Sequence, residues 1–127
     1  MDVTVSPTGN VYVADDSGNG RIEEFSPNGV FVAQYRVPLA PWDLSTPLNY
    51  PTDVAVDASG DIFTAYGSDA VVEIVPGGTP RFFGGRGPAP GQFESAFGVA
   101  LDRFGALYVT DGPRYARDDR IQKLATP

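Results

Sequence analysis

The residues able to do chemistry in this chain are almost all carboxylates and guanidiniums. Asp15 is followed by Arg21, and Asp111 by Arg120, at matching places in similar stretches. An acid that closes one strand and an arginine that opens the next meet across a hairpin mouth, so a cross-strand ion pair is expected at both places. A third similar stretch carries Tyr66 and Val71 there instead, so both partners are lost together. That is the behaviour of a structural pair, because one partner left alone in a packed site costs roughly 3–5 kcal/mol. The alternative makes Asp15 and Asp111 ligand-binding acids.

The chain contains no His and no Cys. His general bases, thiol nucleophiles, disulfides and ordinary zinc sites are therefore excluded within it, and its Ser residues have no His to activate them. Only hard oxygen ligands remain. No cofactor and no metal site are expected; Ca²⁺ at Asp15, Asp16 and Asn19, or at Asp118 and Asp119, is weighed and discounted because neither set has a recognisable loop signature.

Three segments position these groups. Val3–Asp15, Val54–Tyr66 and Val99–Asp111 align without gaps, with the turn glycines Gly9, Gly60 and Gly105 at one place. Each copy opens on alternating large and small residues, the period of a strand, and continues through a turn whose glycine accepts positive φ. A second strand follows (Val11–Val13, Ile62–Thr64, Leu107–Val109), then a polar loop, then a third strand: Arg21–Phe25, Val71–Val75 or Arg120–Leu124. Val30–Tyr35 and Arg81–Phe83 read as fourth strands, and the third copy has none. Fifteen Gly and twelve Pro in 127 residues supply the frequent reversals of an all-β protein.

Four short antiparallel strands repeated at intervals of about 45 residues make the blade of a β-propeller. The expected organisation is a partial propeller over 1–127. Blade 1 spans about 2–36, an insertion loop 37–50, blade 2 about 51–84, a linker 85–96, and blade 3 about 97–125, lacking its last strand. The outer faces of blades 1 and 3, with Val3, Val5, Tyr12, Ile22, Val99, Tyr108 and Ile121, are expected to lie open, as in a piece of a longer protein or a half that dimerises through these faces.

The sequence resembles the NHL-repeat β-propeller family. The resemblance rests on Asp57-Ala58-Ser59-Gly60-Asp61-Ile62-Phe63, on Tyr12-Val13-Ala14-Asp15 followed by Asn19-Gly20-Arg21-Ile22, and on Asp111 followed by Arg120-Ile121-Gln122-Lys123. Its most specific part is the linker Gly84-Gly85-Arg86-Gly87-Pro88-Ala89-Pro90-Gly91-Gln92-Phe93 leading to Phe97-Gly98-Val99-Ala100. The resemblance implies six blades, of which about three are here, and most often a platform for protein, peptide or RNA. It also implies a minority of enzymes: amidating lyases with a His-ligated zinc centre, and lactonase-like relatives with a divalent ion held by carboxylates and Asn in the pore.

The net charge of −7, with nine Lys and Arg against sixteen acids, sets nucleic acid and anionic membranes aside. No apolar run spans a membrane, no signal peptide is visible, and the compartment is left open. The expected function is a non-catalytic module, not an enzyme, presenting one face to a protein or peptide. That face would carry Asp16, Asn19, Asp69, Arg114, Tyr115, Arg117, Asp118 and Asp119, with Trp42 and Asp43 from the insertion. One alternative is part of a lactonase- or lyase-type propeller enzyme with its catalytic residues in other blades; another is the dimerising half propeller.

Overall fold

The computed structural model describes residues 2–15, 20–38, 40–41, 50–66, 69–112 and 120–124. It contains eleven strands among these residues: β1 (Asp2–Val5), β2 (Val11–Asp15), β3 (Arg21–Phe25), β4 (Phe31–Arg36), β5 (Asp53–Val56), β6 (Ile62–Ala65), β7 (Ala70–Ile74), β8 (Arg81–Gly84), β9 (Ala96–Leu101), β10 (Leu107–Asp111) and β11 (Arg120–Leu124). They form three antiparallel sheets, ordered β1-β2-β3-β4, β5-β6-β7-β8 and β9-β10-β11. The chain folds as adjacent blades of a β-propeller, with β1, β5 and β9 side by side as the inner strands.

The inner hairpins share one turn. Gly9, Gly60 and Gly105 adopt φ of 95°, 87° and 84°, and each donates its N–H to the carbonyl three residues back. Asp57 Oδ1 accepts the N–H groups of Ser59 and Asp61, and Asp102 Oδ1 those of Phe104 and Ala106, so each aspartate staples its own turn. Ser6 bonds Thr8 Oγ1 instead.

Strand parity then decides burial. In the first sheet Tyr12, Ala14, Ile22 and Glu24 point at the second sheet and are buried; in the third, Val99, Leu107, Val109 and Asp111 point back at it. The middle sheet is covered on both sides. Val54, Val56, Ile62 and Val72 pack towards the first sheet, and Ala55, Phe63, Ala65 and Val71 towards the third. The expected open faces are corrected accordingly. Val3, Val5 and Ile121 are exposed, whereas Tyr12, Ile22 and Val99 lie in the seams between sheets. No helix is long and apolar enough to cross a membrane among the described residues.

The linker after β8 is held by its own backbone. Phe93 donates to Gly85 O, Gly87 donates to Phe93 O, and the Phe93 ring is fully buried between the second and third sheets. Gly84, at φ 116°, must be glycine: a Cβ there would stand 2.6 Å from both Asp69 O and the Phe93 ring.

Candidate functional site

The Asp–Arg partners meet across their hairpins, but they do different things. Arg21 Nε lies 3.1 Å from Asp15 Oδ2 and 3.0 Å from Glu23, at a half-exposed strand end. Arg120 lies 3.1 Å from Asp111 Oδ2, and Asp111 is only 1% exposed. Asp111 also accepts the N–H groups of Glu94 and Ser95, and Arg120 donates to the carbonyls of Pro88 and Gln92. This pair clips both ends of the linker to the third sheet. An acid already engaged by an arginine and two amides is poorly placed to serve a ligand.

The register of the middle sheet corrects the sequence alignment. Ala65 pairs with Val71, as Ala14 pairs with Ile22, so Ala70 rather than Val71 stands where Arg21 does in the first sheet. Tyr66 is buried, and its hydroxyl accepts the Ala40 N–H at 3.2 Å. The aromatic ring and a small residue fill the space of the ion pair.

Of the residues expected on the binding face, Asp69 is buried with Arg86 Nε at 3.9 Å, and its backbone carbonyl accepts the Gly85 N–H. Asp16, Asn19, Trp42, Asp43, Arg114, Tyr115, Arg117, Asp118 and Asp119 lie outside the described residues.

A cleft of about 750 Å³ runs along the inner strands of all three sheets. Its walls include Asp2, Thr4, Asp53, Val54, Val99 and Leu101. Sequence reasoning missed two of its four aspartates, Asp2 and Asp53. Asp2 and Asp53 each immediately precede the first valine of a repeat, and that shared place was the available signal. Each reaches to the next blade: Asp2 Oδ2 accepts the Val54 N–H at 3.3 Å, and Asp53 Oδ2 the Val99 N–H at 2.8 Å. In the third repeat the equivalent residue is Gly98, which has no side chain to continue the series.

The two acids also face each other, which separates their proton affinities. Burial, followed by the hydrogen bond with Asp2, pushes the Asp53 carboxyl up to about 6. Asp2 is held below the ordinary aspartate value by that same bond, against its own burial. A carboxyl pair with separated affinities in a cleft can hold and pass a proton near neutral pH. The cleft offers oxygen ligands only, so it does not fit the His-ligated zinc centre of the amidating lyases.

The chain resembles known proteins along its length. Residues 2–25 match the NHL repeat. Peptidyl-glycine alpha-amidating monooxygenase B of Xenopus laevis is 31% identical over 124 residues, covering 92% of this chain and 14% of that protein. The A form from the same organism is 57% identical over 35 residues, 27% of this chain and 4% of that protein. Among solved structures, a streptogramin B lyase superposes with a TM-score of 0.61 at 16% identity, over 98% of this chain and 40% of that one. A catalytically inactive His-to-Ala form of virginiamycin B lyase from Staphylococcus aureus, solved with quinupristin, gives 0.59 at 18% identity, also over 98% and 40%. At such identities these structures speak for the fold. The chain thus spans about one seventh of the first curated relative and two fifths of these lyase structures.

These relatives overturn the expectation that the chain is not an enzyme: the protein it matches over nine-tenths of its length is one. The residue-type argument failed because the absence of His and Cys bears only on what these 127 residues supply themselves. With its repeated turn, its three antiparallel sheets and the NHL match at residues 2–25, the chain carries an NHL repeat within a β-propeller fold.

Proposed function

We propose that the chain forms part of a propeller enzyme of the lyase type that acts on peptides, with the cleft along β1, β5 and β9 as part of its substrate site. The observation that carries this reading is the 31% identity to a peptidyl-glycine alpha-amidating monooxygenase across nearly the whole chain. Amidation of a peptidyl-glycine leaves the glycine nitrogen on the peptide and breaks its bond to Cα. When Cα carries a hydroxyl, that bond breaks by elimination: the hydroxyl proton is removed, a carbonyl forms, and the departing amide nitrogen takes a proton. Such a step needs one group to accept a proton and another to give one. Asp53, pushed up to about 6, and Asp2 beside it are suited to that exchange.

Monooxygenation, by contrast, calls for a redox metal, whose usual imidazole and thiolate ligands this sequence does not supply. The remaining catalytic groups come from residues outside this chain.

The test is to incubate the intact protein that carries this chain with a peptide ending in α-hydroxyglycine and measure amidated peptide by mass spectrometry. Amidated product above the spontaneous rate, reduced at least about tenfold by Asp53→Asn, is expected, in keeping with the usual worth of a general acid or base. No product above the spontaneous rate, or full activity in Asp53→Asn, overturns the reading.

A further inference from the structure

The third strands of the first and second sheets each bury one glutamate, and the two are treated differently. Glu24 pairs across from Tyr12, and Glu73 stands at the same place across from Phe63. In the first sheet Glu24 is satisfied. Tyr35 Oη donates to it at 2.7 Å and Asn10 Nδ2 at 2.7 Å, with Tyr12 a third donor. Burial alone would raise its proton affinity, but these three bonds outweigh it and hold the carboxyl below the ordinary value.

In the second sheet every one of those donors is replaced. Phe63 stands for Tyr12, Phe83 for Tyr35 and Asp61 for Asn10. Glu73 is nevertheless 3% exposed, and its Oε1 is buried with no hydrogen-bond partner. The cation beside it is Arg81, half exposed, with Nη1 at 3.8 Å. Oxygens of Asp57, Asp61 and Glu73 all lie within 4.8 Å of one another. Three carboxylates this close, one of them with a buried oxygen that has no hydrogen-bond partner, call for a positive charge among them.

We propose that Asp57, Asp61 and Glu73 form a binding site for one hard divalent cation of the calcium type, at the turn between β5 and β6. The donors are all carboxylate oxygens, which suit a hard ion. Calcium–oxygen distances of about 2.3–2.6 Å allow ligand oxygens to stand up to about 4.6–5.2 Å apart, which accommodates the observed spread. Magnesium, at about 2.1 Å, would need the cluster to contract. Asp57 and Asp61 are only partly buried, which leaves room for water to complete the shell, and the turn already fixes Asp57 through the N–H groups of Ser59 and Asp61. The competing arrangement is a proton shared between Asp61 and Glu73, since burial and Asp61 push the Glu73 carboxyl up to about 7.

The test is calorimetric titration of the EDTA-treated full chain with CaCl₂, beside Asp61→Asn. That variant rebuilds in the second sheet the amide–carboxylate bond that Asn10 makes to Glu24 in the first, so it is expected to fold. One site per chain is expected, with a dissociation constant of about 10⁻⁵ to 10⁻³ M, as for sites of few charged ligands. Asp61→Asn should weaken it at least tenfold, and the melting temperature should rise with Ca²⁺ in the parent chain only. The absence of saturable binding up to about 10 mM Ca²⁺ overturns the proposal and favours the shared proton. Unchanged affinity in Asp61→Asn also overturns it by placing the ion elsewhere. Neither readout depends on lyase activity.

Discussion

Removing Arg120 should cost this protein far more than removing Arg21, although both pair with an aspartate in the same register. Arg120→Ala deletes the bonds to Asp111 and the donations to Pro88 O at 2.6 Å and Gln92 O at 2.7 Å. It leaves Asp111, 1% exposed, with only the Glu94 and Ser95 amides. Breaking a buried pair from one side costs about 3–5 kcal/mol. The Arg120 side chain is 30% exposed, so water partly replaces it, and about 2–3 kcal/mol is the working figure. Arg21 is more exposed and, among the described residues, ties down no linker, so Arg21→Ala should cost about 0.5–1 kcal/mol. For a chain of this length each kcal/mol moves the melting temperature by about 4 °C, which predicts losses of about 8–12 °C and 2–4 °C. Thermal and urea unfolding of both variants, followed by circular dichroism, measures this. Equal losses, or a loss below about 0.5 kcal/mol for Arg120→Ala, would refute the assignment of Asp111–Arg120 as the linker clip.

Gly84→Ala should destabilise by about 2–3 kcal/mol, because its Cβ would strike Asp69 O and the Phe93 ring at a positive φ. Ala at Gly60, where φ is also positive but nothing lies within 4 Å, should cost less, and urea midpoints compare the two. Phe93→Ala should cost about 3–5 kcal/mol by emptying the seam between the second and third sheets. The folded Asp53 carboxyl lies above its ordinary value, so the stability it contributes is complete below about pH 3.8 and is lost as pH rises through about 6. Asp53→Asn should flatten the fall in melting temperature across that window in EDTA; an unchanged profile would assign the fall to other groups.

The blade pattern was legible in the sequence because its causes are local. Alternation of large and small residues makes Val3–Val5, Val54–Val56 and Val99–Leu101 strands, and Gly9, Gly60 and Gly105 fix the turns that pair them with the next strands. The NHL repeat was legible in the first copy, where Tyr12–Asp15 and Arg21–Ile22 lie within the matched residues. The register of β7 was not, since Ala70 and Val71 both suit a buried strand, and only pairing with β6 decides which faces which seam. The cleft acids were also hidden. Asp2 and Asp53 act on N–H groups of the following blade, and no local rule places them opposite those amides. Glu73 looks like any strand glutamate until burial is known. Its lost donors stand on β6, β8 and the turn at Asp61, so its need for a positive charge exists only once the four-stranded sheet is assembled and covered by the third sheet.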